Sequence, residues 1–164
     1  MKLNPNQGVR VIFPEPITQE ENTIAAMLLY VAKEHPEAVT EKKHISCDAI
    51  NIPYAQASKF SDCLPTGEYV TIPAADFRRV INKLVKAKLQ CTLRAPNGKI
   101  YTKSAPYLPV EVWDFGSDIE VCFTEQPQCY FDFDAETNTF SLVPTGEMKQ
   151  FMLDFVHKYY KKGE

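Results

Sequence analysis

Apolar residues recur along this chain with two different periods, and the switches between them mark out the elements. Residues 1–17 are rich in Pro, Asn and Gly and hold one short apolar run, 9–13. That run predicts an N-terminal arm or edge strand, ended by Pro14 and Pro16. Thr18 and Glu21 then stand three residues apart, the spacing of a capping box, in which each side chain satisfies the other residue's backbone N–H. Ile24, Ala25, Leu28, Val31 and Ala32 follow on one helical face, widened by Met27 and Leu29, until Pro36. A second helical stripe, Phe77, Val80, Ile81, Leu84 and Val85, predicts a helix over 73–88. Residues 37–72 are less regular. A strand is expected over 45–52, a short helix opened by Pro53 and containing Tyr54, Ala57 and Phe60, and a strand over 69–72.

After Leu89 the period falls to two. Residues 90–95 and 99–103 flank Pro96-Asn97-Gly98, and Asn-Gly accepts the positive φ that a tight hairpin turn demands. Residues 110–115 form another candidate strand with Gly116-Ser117-Asp118 as its turn. Ile119, Val121 and Phe123 then alternate with polar neighbours, as do Cys129, Phe131 and Phe133, before Phe140 and Leu142. Keeping Phe123 and Phe131 on one face puts Cys129 inward and Cys122 outward, so no disulfide is expected between them. Thr145 is the expected cap of a last helix carrying Met148, Phe151, Met152, Phe155, Val156 and Tyr159. Lys158, Lys161 and Lys162 stand at its C-terminal end, where cations suit the helix dipole.

These elements predict a single α+β domain over 1–164: an antiparallel β-meander of five or six strands packed against two to four helices in two layers. Within it, 1–17 is the arm, 18–88 the mainly helical part, 89–143 the meander and 145–162 the C-terminal helix. A chain of 164 residues with 45% hydrophobic content can bury a core without metals or disulfides. No run approaches the roughly 20 apolar residues of a membrane span, and the first residues lack the apolar run of a secretory signal, so a cytoplasmic location with no membrane partner is expected. Five cysteines with no CxxC pair read as reduced thiols.

Charge changes the picture more than composition does. The net charge is only −3, yet residues 77–110 contain no acidic residue and residues 111–148 no basic one. The basic stretch places Arg78, Arg79, Lys83 and Lys86 on the 73–88 helix and Lys99 at the hairpin tip, an arrangement able to meet phosphates. The competing reading is a solvated helix face, since a supporting partner helix and base-reading side chains are missing. The acidic stretch places Asp118, Glu120, Asp132 and Asp134 on the polar side of successive strands, near Trp113 and Tyr130. Like charges on neighbouring strands repel, so this pattern suggests an anionic docking face unless basic strands lie beside it. Tyr101 and Tyr107 are further interface anchors or partly buried core residues with a polar tip.

Catalytic signals are weak. Asp132, Asp134, Glu136 and Asn138 have the alternation of a calcium loop but not its glycine and final glutamate, so no metal site is expected. His44 and Cys47 are close enough in sequence to suggest a hydrolase pair, without a glycine loop to stabilise an oxyanion. Phosphate-loop and dinucleotide motifs are missing and glycines number only 6, so no cofactor is expected. The leading expectation is a non-enzymatic binding or regulatory protein, of inhibitor or adaptor type, docking on a protein partner through the acidic face. Nucleic-acid binding through 73–103 is the first alternative, and a small hydrolase around His44 and Cys47 the second.

Overall fold

A computed structural model of the chain describes residues 8–46, 72–134 and 139–160, with the side chains of residues 19, 20, 23, 132–134 and 139–141 left aside. Its elements run β1 (Val9–Ile12), α1 (Gln19–Glu34), α2 (Glu37–Thr40), β2 (Ile45–Ser46), α3 (Ala74–Leu84), β3 (Lys88–Arg94), β4 (Ile100–Pro106), β5 (Val110–Asp114), β6 (Ile119–Phe123), β7 (Cys129–Asp134), β8 (Thr139–Pro144) and α4 (Gly146–Tyr159). The protein is α+β, and every strand pair among the described residues is antiparallel. The short helix expected after Pro53, all but the last residue of the strand expected over 69–72, and Cys47 and Cys63 lie outside the described residues. Among those described, no helix is long and apolar enough to cross a membrane.

The strands of the expected meander are present, but they form three ladders instead of one. The strand orders are β1-β3-β4, β2-β6-β5 and β7-β8. Each neighbouring pair in sequence makes its hairpin, and the links between hairpins break the hydrogen bonding. From the last residue of β4 to β5 the chain runs Pro106-Tyr107-Leu108-Pro109, where two residues lack an N–H and Tyr107 turns into the core. Between β6 and β7, Pro127 does the same. The Asn97 side chain accepts from Lys99 N at 2.9 Å within the β3–β4 turn, where Gly98 takes φ +88.

The inner faces of the ladders and the apolar stripes of the helices share one buried cluster. Helix α1 lies against β7, α2 and α3, while α3 also touches β6 and α4 covers β3 and β4. Phe77, Val80, Ile81 and Leu84 are all buried, as the stripe requires. Tyr107 is fully buried, and its hydroxyl donates to Asn22 Oδ1 at 2.8 Å. Tyr101 is half-buried against Phe155, with its hydroxyl 2.8 Å from that of Tyr159.

The N-termini of α1 and α4 are closed in different ways. The capping box at α1 is complete: Glu21 N donates to Thr18 Oγ1 at 3.1 Å and Thr18 N to Glu21 Oε1 at 3.0 Å. At α4, Thr145 occupies the cap position but its hydroxyl donates to Pro127 O. The side chain of Gln128 takes over, accepting from Met148 N at 2.7 Å. A residue in the β6–β7 link thus closes the helix that packs elsewhere.

Candidate docking faces

The site expected at the acidic strands is built on the β2-β6-β5 sheet. Alternation along β5 turns Val110 and Val112 toward the core and leaves Glu111 and Trp113 outward. Register places Val112 opposite Val121 and Val121 opposite Ile45 on the inner side. On the outer side Trp113 stands opposite Glu120, and Glu120 opposite Ser46. Phe115 N donates to Asp118 O at 2.9 Å, which continues the ladder by one pair and puts Phe115 on the same face as Trp113. Trp113 is 45% exposed and Phe115 60%. His44 joins them from the residue before β2: its Nδ1 lies 3.0 Å from Glu120 Oε1, and its ring centre 5.4 Å from that of Trp113.

The carboxylates of this face have different duties. Asp118 accepts from Ser46 Oγ at 2.8 Å and from Ile119 N at 2.9 Å, so it fastens β2 and the turn onto β6. Asp114 receives both prongs of the Arg78 guanidinium and the N–H of Gly116. Arg78 first, then Gly116 N–H, hold the Asp114 carboxyl down at about 2. Glu120 faces His44, and Glu111 is exposed. Asp132 and Asp134 belong to β7, which pairs with β8 and not with β6. The expected acidic face is therefore divided between two ladders.

Tyr130 sits apart from Trp113. The Lys33 ammonium lies over its ring, 4.2 Å from the centre, a cation–π contact at the rim of a cleft of about 210 Å³. Leu29, Ala32, Pro36, Pro127 and Cys129 line this cleft. Burial pushes the Cys129 thiol up to about 12, so it is protonated near neutral pH and is no nucleophile there. Cys122 does point to the outer side of β6, yet it is buried, with its thiol donating to Lys42 O at 3.3 Å. The 41–44 segment, where Lys42 takes φ 51, covers it.

The cations expected to face phosphates on α3 are engaged within the molecule. Arg78 reaches Asp114 and, at 2.6 Å, Gly116 O. Arg79 and Lys83 converge on Glu21 at 2.5 and 3.2 Å, and Lys86 reaches Glu15 at 3.2 Å. Glu21 is only 8% exposed. Its bond from Thr18 N–H, aided by Lys83 and Arg79, holds its carboxyl below the usual range although burial opposes this. Lys99 is exposed at the β3–β4 tip.

Sequence reasoning passed over Phe115, Glu111 and the meeting of His44 with Glu120. An aromatic two residues beyond Trp113 on the polar side of an alternating strand was a readable sign; the approach of His44 across 76 positions was not. Among the described residues, no group of three or more His, Cys, Asp or Glu side chains is placed to hold a metal ion. Cys47, the second member of the candidate hydrolase pair, lies outside the described residues. Comparison of the chain with protein-family models, curated proteins and solved structures finds no match.

Proposed function

We propose that this is a non-enzymatic binding protein that captures a basic protein segment on the outer face of β5 and β6. The supporting observation is that two large aromatic side chains, Trp113 and Phe115, stand in water on one face, beside the carboxylates of Glu111 and Glu120. Exposed aromatics rimmed by charge are typical of interface anchors. A Lys or Arg side chain of a partner laid over the indole would gain a cation–π contact, and its charge would meet the carboxylates. An inhibitor or adaptor role would follow from such capture.

Trp113 is the only tryptophan of the chain and reports directly on its own face. Titration with an arginine-rich peptide at low salt should give a saturable change in tryptophan emission. The change should vanish in the Glu111→Lys/Glu120→Lys variant and fade as salt is raised. An equal response to a glutamate-rich peptide, or none to the basic one, would sink the proposal.

A further inference from the structure

One face of the β1-β3-β4 ladder carries mostly exposed side chains among the described residues. Helix α4 and the core take the side carrying Leu89, Cys91 and Leu93. The opposite side of the central strand β3 presents Lys88, Gln90, Thr92 and Arg94, with Arg10 of β1 across from Gln90. Thr102 and Ser104 of β4 stand opposite Thr92 and Gln90, and both are exposed. No strand position on this face is acidic among the described residues. Among the described residues, none of Arg10, Lys88 and Arg94 forms an ion pair, whereas Arg78, Arg79, Lys83 and Lys86 of α3 all do.

From this contrast we infer that the exposed face of β1-β3-β4 is a docking track for the phosphodiester backbone of single-stranded nucleic acid. Along β3 the four outward side chains are all hydrogen-bond donors, two of them cationic, spread over about 20 Å at the rise of a strand. A phosphate chain lying along the strand would meet Lys88 and Arg94 near its ends and amide and hydroxyl donors between them, with Arg10 alongside. The face is a sheet surface, not a protruding helix that would enter a duplex groove. It carries no aromatic platform, so recognition would follow the backbone and not the base sequence. Ile12 and Ile100, 37% and 57% exposed at opposite corners of the same face, offer apolar contact to splayed bases. This surface is separate from the Trp113 face and stands or falls without it.

The test is fluorescence anisotropy of a labelled oligothymidylate with the whole chain. Saturable binding at low salt is expected, weakening about tenfold for a threefold rise in salt, the slope of roughly −2 for three cations on a single strand. The variant Arg10→Glu/Lys88→Glu/Arg94→Glu, with its fold verified by circular dichroism, should lose binding, while Glu111→Lys/Glu120→Lys should keep it. No binding at low salt, binding unchanged by the triple reversal, or equal affinity for a duplex or for polyglutamate would each overturn the inference.

Discussion

Arg78 clasps Asp114 with two hydrogen bonds, Nε to Oδ2 at 2.7 Å and Nη2 to Oδ1 at 3.0 Å. One residue comes from the basic stretch and the other from the acidic stretch, so at this point the charge division of the chain is architecture. The pair ties α3 to the β5–β6 turn. Asp114 is held at about 2 in the folded chain against an ordinary 3.8. A depressed carboxyl adds stability above its unfolded value, and that stability is lost as pH falls through the folded value. The contribution should therefore disappear between about pH 4 and pH 2. Acid-denaturation curves of Asp114→Asn should lack this component while keeping the rest of the acid transition.

Glu21 joins α1 to α3 through Thr18, Arg79 and Lys83. Replacing it by Gln keeps its shape but removes the charge that two cations share. The expected cost is about 2 kcal/mol, the scale of hydrogen bonds to a charged group, read as a lower urea midpoint with an unchanged slope. Because the Glu21 carboxyl is lowered, the difference from wild type should be full at neutral pH and shrink once the pH drops below the ordinary carboxylate range.

Gly8 has φ +77, and a Cβ there would stand 2.5 Å from Thr92 O. Thr92 N also donates to Gly8 O at 2.9 Å, so the two backbones cannot separate without losing that bond. Gly8→Ala should cost on the order of 1–3 kcal/mol and expose the Thr92 amide to hydrogen exchange. Gly98→Ala, at φ +88 with open space around it, should cost less, since only the backbone preference is violated.

Burial raises the Cys91 thiol to about 11 and the Cys129 thiol to about 12. Both should resist iodoacetamide at neutral pH in the native protein and react once it is denatured. Peptide mapping of the alkylated chain distinguishes the sites. Rapid native labelling of Cys129 would show that the wall of the Lys33–Tyr130 cleft opens.

What was legible in the sequence was local. The Thr18–Glu21 box, the α3 stripe and the Asn97-Gly98 turn each depend on residues within a few positions of one another. The hairpins were legible for the same reason, since alternation and turn chemistry act between neighbours. Which hairpins share a ladder depends on distant partners, and prolines at 106, 109 and 127 were the available sign that the meander would divide. Helix α2 escaped notice because its one turn (Glu37–Thr40) shows no full apolar period. Gln128 as the donor-satisfying group of α4 was hidden behind the more familiar Thr145. At the candidate face, Trp113 and Glu120 could be placed on one side by alternation, while His44 arrives from the segment before β2, distant in sequence.

The division into three ladders also sets an order of assembly. The pairs β3–β4, β5–β6 and β7–β8 close over short loops and can zip independently, early and fast. Strands β1 and β2 cannot: Val9 must find Cys91, and Ile45 must find Val121, across much of the chain. They act as latches added to preformed hairpins. Deleting the first fourteen residues or so should therefore speed unfolding far more than it slows folding.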